Sequence, residues 1–139
     1  MSTEARSGYR GYVTSRGFGG YVIPVPVQSL VLRDYCARKK LLYVLPVNEN
    51  IFPHSYMVLD GLIENLEHSE GVLMCSMHML PQRPERRRRV VERILDQGCS
   101  LHLVLEDIVI AGRKDLDKLE ELLCLSILVA HAPDPAVLD

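Results

Sequence analysis

The stretch that decides the fold runs from residue 72 to residue 89 and reads VLMCSMHMLPQRPERRRR. It begins as a short apolar run, which is typical of a strand buried on both faces of a sheet. Pro81 breaks the run, and Pro84 fits the first turn of a helix, where a missing N–H costs no hydrogen bond. The stretch therefore predicts a strand, a polar loop and a helix in succession.

The segments on either side of this stretch repeat the alternation of strand and helix. Strands are predicted at residues 11–15, 41–47, 72–77 and 100–105. Helices are predicted at residues 27–40, 55–66, 84–97 and from Asp115 onward. The first of these helices should bury residues 27, 30, 31 and 35, and Gly98 should close the third. Alternating elements predict right-handed βαβ units, and so a flavodoxin-like α/β domain: an open, mainly parallel four-stranded sheet with helices on both faces.

Length and composition place the chain in a broad class. The 139 residues fit one domain, with residues 1–8 and 132–139 expected to be flexible. A net charge of −2 makes nucleic acid an unexpected partner. A polar N-terminus and short apolar runs predict a cytoplasmic protein without a membrane span. The four scattered cysteines are expected to be buried free thiols, and neither a metal motif nor a cofactor motif is present.

The last predicted helix is apolar on nearly every side between residues 122 and 129. Packing against the sheet requires one apolar face only, so the remaining apolar surface predicts a partner. The expected partner is a second copy of the chain, which would form a homodimer through this helix.

Polar side chains follow each predicted strand, at the edge of the sheet where open α/β folds bind ligands. His78 is a candidate general acid or base, and the alternative is a loop histidine bonded to the backbone. Glu49 is a candidate for proton transfer, although such turn residues also serve local structure. Ser15 is a third candidate catalytic residue, without the surroundings of a nucleophile elbow. The candidate substrate-binding residues are Arg16, Asn48, Asn50, His54, Ser76, Gln82, Arg83 and Arg87.

The arginine run at residues 86–89 lies at the start of the predicted third helix. Successive helix residues are about 100° apart, so residues 86–89 should point all round the helix. Arg87 should share the inward face of Val90 and Val91. Together with Arg83 and the helix N-terminus, it is a candidate for binding a phosphate or carboxylate. The other arginines are expected to form a solvated basic face.

The order of elements, from GYVTS through VLMCSMHML to ILDQGCSLHLVLEDIVI, resembles the catalytic domain of serine recombinases. That family carries a nucleophilic serine in a Y-x-R-V-S strand and arginines in a D-R-L-x-R segment. Here Thr14 and Arg16 stand at the places of the strand arginine and the serine, and Ser15 lies one residue early. His78, Met79 and Gln82 replace the aspartate and the two arginines, which argues against DNA strand exchange.

The segments GGYVIPVPVQ, YVLPVNENIFPHSYMVL and CSMHMLPQRPERR resemble the sporadic carbohydrate cluster proteins. That resemblance implies a setting in surface-carbohydrate biosynthesis. The leading hypothesis is a small enzyme that acts on a sugar by cofactor-independent acid–base chemistry, as an isomerase, epimerase or lyase. Its expected ligand is a carbohydrate, phosphorylated or nucleotide-linked. The alternatives are a non-catalytic binding or assembly protein and, more remotely, a degenerate recombinase relative that binds DNA.

Overall fold

The computed structural model describes residues 8–18, 22–49 and 56–131, except the side chains of Leu45 and of residues 127–131. Its strands are β1 (Tyr9–Thr14), β2 (Tyr43–Glu49), β3 (Gly71–Met74), β4 (Ser100–Leu103) and β5 (Ile108–Ile110). Its helices are α1 (Val25–Lys39), α2 (Met57–Glu64), α3 (Pro84–Asp96) and α4 (Arg113–His131). A short 3₁₀ turn spans Met77–Met79.

The five strands form one sheet in the order β2-β1-β3-β4-β5. The first four strands are parallel, which confirms the predicted α/β architecture. β5 was not predicted, and it pairs with β4 in the antiparallel direction. Three residues are too few to show a period in the sequence, so this strand is defined by its pairing with β4. The turn between them includes Asp107 in the left-handed region, with φ of 55°.

Alternate residues of the central strands pack into two separate cores, one on each face of the sheet. Val13 and Leu73 face the residues of α1. Tyr12 and Met74 face the opposite way, into the larger core built with α2, α3 and α4. Helices therefore cover both faces, as the alternation of elements predicts.

The buried face of α1 includes Tyr35, as predicted, and Val31 packs partly on the core, but the other two predicted residues are wrong. Val27 and Leu30 are 44% and 65% exposed, whereas the buried residues are Gln28, Leu32, Tyr35 and Cys36. Gln28 can lie in the core because its side chain is fully hydrogen-bonded: Oε1 accepts from the Thr14 N–H, and Nε2 donates to the Thr14 and Ile23 carbonyls. A hydrophobicity pattern cannot reveal such a residue.

The second strand was predicted two residues too early. β2 continues through Asn48 and Glu49, which the sequence assigns to a turn, because these residues pair with Val13 and Thr14 of β1. The third helix was predicted well: α3 begins at Pro84, and Gly98 follows it with φ of 74°. Ser55, the predicted cap of the second helix, lies outside the described residues.

The prediction that all four cysteines are buried is wrong for the cysteine of the last helix. Cys36, Cys75 and Cys99 are buried as predicted, but Cys124 is exposed. It lies beside the stripe of α4 that packs on the core, which consists of Leu116, Leu119 and Leu123. Leu125 is 56% exposed, and the homodimer through this helix remains a prediction. Within the described part of the chain, none of the helices has the length and apolar character needed to cross a membrane.

His102 is a buried histidine on the α1 face of the sheet. Its Nδ1 lies 2.7 Å from the Tyr35 hydroxyl, and its Nε2 lies 2.9 Å from the Ser100 hydroxyl. The Tyr9 ring meets it edge-on at 5.1 Å. Burial lowers the pKa of His102, and the positive charge of Lys39 acts in the same direction. The folded chain therefore favours the neutral imidazole.

This burial predicts a pH dependence of stability. Between the lowered pKa of folded His102 and the ordinary value of 6.5, the unfolded chain binds a proton that the folded chain does not. The free energy of unfolding should therefore decrease as the pH falls below about 6.5, and level off once folded His102 is also protonated. Urea unfolding at several pH values would measure this. His102→Gln should flatten the decrease, whereas His68→Gln, at an exposed position, should not.

Candidate functional site: an arginine-lined cleft

The topology places the site beside β1 and β3. These neighbouring strands are followed by α1 and α3, which lie on opposite faces of the sheet. In doubly wound folds, the crevice at such a switch point is where ligands bind. Ser15 and Arg16 follow β1 there, and Ser76 begins the loop after β3.

A cleft of about 850 Å³ opens from this loop along α2 and α3. Its wall contains four arginines, Arg83, Arg86, Arg89 and Arg93, and two acidic residues, Asp60 and Glu85. Arg93 and Asp60 form an ion pair at 3.3 Å. The arginines exceed the carboxylates by two charges, in a chain whose net charge is −2. The cleft is therefore a positive region on a slightly acidic protein.

The four cleft arginines form a row because of their spacing. From Arg83, steps of three, three and four residues lead to Arg86, Arg89 and Arg93, and such steps stay on one side of a helix. The prediction that residues 86–89 point all round the helix holds for consecutive residues. The prediction did not identify the row of four cleft arginines, which begins before residue 86 and ends after residue 89. The sequence does contain a signal for the row, because these arginines recur at intervals of three or four residues.

Tyr56, which directly precedes α2, connects two of the basic side chains. The guanidinium carbon of Arg16 lies over its ring, 4.5 Å from the centroid, and that of Arg86 lies 4.7 Å from it. Such cation–π contacts stabilise a guanidinium while using its flat face. Tyr56 thus holds together the segment after β1 and the first turns of α3. Sequence reasoning identified neither Tyr56 nor this contact.

Glu49 is buried and hydrogen-bonded to groups of the protein itself. Its side chain is 1% exposed, and it accepts hydrogen bonds from the Tyr12 hydroxyl at 2.9 Å and from the N–H groups of Val58 and Leu59 at 3.2 Å. The carboxylate therefore caps the first turn of α2, where the helix dipole favours a negative charge. Burial, and next the bond to Glu49, raise the pKa of Tyr12 well above its usual range. These contacts give the predicted proton-transfer residue a capping role.

Ser76, His78 and Glu106 meet where β3 and β4 end. The Ser76 hydroxyl donates to Glu106 Oε2 at 2.8 Å, and the Met77 N–H donates to Glu106 Oε1 at 2.6 Å. Ser76 Oγ in turn accepts from the His78 N–H at 3.2 Å, which fixes the 3₁₀ turn. Ser76 is 3% exposed, whereas the His78 side chain is half-buried and lies outside the cleft wall.

Arg87 points away from the cleft into the protein. Its Nε donates to Glu120 Oε1 at 2.8 Å, and its Nη1 donates to the carbonyls of Pro81 and Gln82 at 3.1 and 3.0 Å. The predicted anion is therefore supplied by the chain itself, as Glu120 of α4. Arg87 ties the loop after β3 to the last helix.

The remaining predicted residues divide into three groups. Gln82 and Arg83 line the cleft, and their role in binding a ligand stays a prediction. Ser15 and Asn48 are exposed, and they do not belong to the cleft wall. Asn50 and His54 lie outside the described residues. Among the residues that the structure describes, no group of three or more His, Cys, Asp or Glu could hold a metal ion.

The fold is similar to those of serine recombinase catalytic domains. The crystal structure of the N-terminal catalytic domain of TP901-1 integrase matches with a TM-score of 0.64 and 13% identity, over 87% of this chain and 96% of that one. A resolvase family site-specific recombinase from Streptococcus pneumoniae matches with a TM-score of 0.64 and 11% identity, over 88% of this chain and 90% of that one. At these identities the likeness shows the fold alone, and it confirms the resolvase-like architecture. No protein-family model and no curated protein matches the chain, so the carbohydrate-cluster resemblance has no support from them.

Proposed function

We propose that the arginine-lined cleft binds an anionic carbohydrate, phosphorylated or nucleotide-linked. The observation that carries the proposal is the row of four arginines along one wall of a cleft of about 850 Å³. Clefts of about 300–1,000 Å³ are typical of small-molecule sites. The carbohydrate part of the proposal rests on the sequence resemblance, and the anionic part rests on the cleft.

The chemistry of the row favours phosphate. A guanidinium presents N–H donors in a fork that matches two oxygens of a phosphate or carboxylate. Arg83 and Arg89 make no ion pair with any described residue, so their charges are available to a ligand. The N-terminal end of α3 adds partial positive charge beside Arg83 and Glu85. A phosphate near this end would contact both the row and the helix.

Thermal unfolding with added compounds tests the proposal. Hexose phosphates and nucleotide sugars should raise the Tm, whereas the free sugars should not; a ligand at a hundred times its Kd adds about 2.7 kcal/mol of stability. Arg89→Gln should weaken binding about 10- to 100-fold, since a charged hydrogen bond contributes about 1.5–3 kcal/mol. Arg88→Gln is the matched control, because it removes the same charge one residue earlier, outside the cleft wall. No shift with any anionic sugar would refute the proposal.

DNA is the competing ligand, because the fold is similar to those of recombinase catalytic domains. DNA duplexes should therefore be included, at several salt concentrations, because phosphate-backbone binding weakens steeply with salt. Salt-dependent binding of DNA, together with no response to sugar phosphates, would replace this proposal with the DNA-binding alternative.

An acid–base enzyme is a second candidate, and His78 is the residue that favours it. Its side chain is half-buried near the ends of β3 and β4, outside the cleft wall, and its backbone is fixed through Ser76 and Glu106. If a bound sugar is turned over, His78→Gln should lower the rate about 10²-fold or more and leave the ligand Kd unchanged. NMR of the sugar protons would follow the reaction. An unchanged rate in the variant would remove His78 from the mechanism.

A further inference from the structure

We infer that Asp60 binds hydroxyl groups of the carbohydrate, at the end of the cleft away from its phosphate. This inference rests on the proposed function and names the class of ligand, which is a sugar phosphate with free neighbouring hydroxyl groups on its ring. The starting observation is that a cleft lined by four arginines also contains the ion pair of Asp60 with Arg93.

Asp60 and Arg93 both have polar atoms that remain available to a ligand. Oδ1 of Asp60 accepts a hydrogen bond from Nη1 of Arg93 at 3.3 Å, whereas its Oδ2 makes no hydrogen bond with any described residue. The other guanidinium N–H groups of Arg93 are likewise unused within the described part of the chain. The two side chains are 42% and 36% exposed. A pair as exposed as this contributes little to stability, so a ligand that binds it does not replace a strong interaction.

This pair offers the two kinds of partner that a sugar hydroxyl requires. A hydroxyl group donates one hydrogen bond and accepts others, while an ionised carboxylate only accepts and a guanidinium only donates. Two neighbouring hydroxyl groups can therefore donate to Asp60 and accept from Arg93. A phosphate finds donors at Arg93 but is repelled by Asp60, so this part of the cleft favours the neutral part of a sugar phosphate over its phosphate.

The spacing along α3 separates the two ends of the ligand. The phosphate end of the cleft is at the first turns of this helix, where neither Arg83 nor Arg89 forms an ion pair with a described residue. Arg93 lies about 14 Å beyond the start of the helix and one turn, about 6 Å, beyond Arg89. These distances leave room for a sugar ring beside its phosphate, with the ring hydroxyls next to Asp60.

The test measures the Kd of three kinds of probe by isothermal titration calorimetry at fixed ionic strength. The probes are inorganic phosphate, cyclohexyl phosphate, and the 1-phosphates of glucose, galactose and mannose. Cyclohexyl phosphate has a six-membered ring and the charge of a hexose phosphate, but it has no hydroxyl groups on the ring. The tightest of the three hexose phosphates should bind at least tenfold more tightly than cyclohexyl phosphate, as expected for hydrogen bonds to charged groups.

Substitution of Asp60 should affect the probes differently. Asp60→Asn should weaken hexose phosphate binding at least tenfold, because an amide has one acceptor oxygen in place of two. It should leave phosphate binding unchanged or tighten it, because a repelling charge is removed. Arg83→Gln should weaken the binding of both probes by the same factor, since it acts at the phosphate end. Glu64→Gln is the matched control, one turn further along α2 and outside the cleft wall, and it should change neither Kd.

The outcomes separate the two proposals. Equal affinity of the wild-type protein for cyclohexyl phosphate and the hexose phosphates would overturn the inference about Asp60, while the anion-binding cleft would stand. The same conclusion would follow if Asp60→Asn, folded by circular dichroism, bound the hexose phosphate as tightly as the wild type or more tightly. Failure of every probe, together with the nucleotide sugars of the thermal unfolding experiment, would overturn the proposed function itself.

Discussion

Arg87→Met should lower the free energy of unfolding by about 3–5 kcal/mol, the usual cost of removing one partner of a buried ion pair. The Arg87 side chain is 9% exposed and that of Glu120 is 29% exposed. Methionine fills similar space, but it leaves the Glu120 carboxylate and the carbonyls of Pro81 and Gln82 without their donor. Urea unfolding followed by circular dichroism measures the loss.

Two further variants make this result specific. Arg88→Met should cost less than about 0.5 kcal/mol, since the exposed Arg88–Glu92 pair contributes little. Adding Glu120→Leu to Arg87→Met should restore part of the stability, because it removes the uncompensated carboxylate. A loss below about 1 kcal/mol in Arg87→Met would mean that Arg87 is not a structural residue, and that it belongs again among the candidates for ligand binding.

Glu49→Gln should lower the free energy of unfolding by about 2–3 kcal/mol. Glutamine has one acceptor oxygen for three donors, and its NH₂ group, in the place of either carboxylate oxygen, would face the N–H group of Val58 or that of Leu59. The same change at Glu64, an exposed residue of α2, should have almost no effect on stability. Urea unfolding of the two variants provides the comparison.

This variant also separates the two roles considered for Glu49. If Glu49 caps α2, its substitution lowers the free energy of unfolding of the protein. Ligand binding would then change only because the first turn of α2 shifts the position of Tyr56. A variant of wild-type stability that has lost turnover would instead assign proton transfer to Glu49, as the sequence hypothesis does.

Much of the fold could be predicted because local patterns agree with the global topology. The apolar run and the two prolines of residues 72–89 were sufficient to predict β3, the following loop and α3, although β3 ends at Met74 and Met77 belongs to the 3₁₀ turn. The error at α1 arose because Gln28 is buried through hydrogen bonds to β1, a contact between residues 14 positions apart. Propensity and periodicity contain no information about such a partner.

A cleft lies at the predicted edge of the sheet, and the ligand-binding roles of its residues stay a prediction. Parallel strands put their carboxyl ends on one edge, and this topology correctly brought Gln82 and Arg83 to a cleft. The roles of Glu49 and Arg87 depend on Tyr12 and Glu120, which are 37 and 33 residues away in the chain. A carboxylate looks the same in a sequence whether it caps a helix or moves a proton, because its contacts determine which it does.

The hydrogen bonds of Gln28 affect how the surroundings of the cleft could change during evolution. This side chain binds both the N–H and the carbonyl of Thr14, in the manner of one more neighbouring strand, and the chain turns into Ser15 and Arg16 directly afterwards. The direction in which Arg16 leaves the sheet is therefore set partly from α1, on the far side of the sheet from the cleft. Substitutions around residue 28 offer a route by which ligand preference could drift or be engineered while every residue of the cleft wall stays the same.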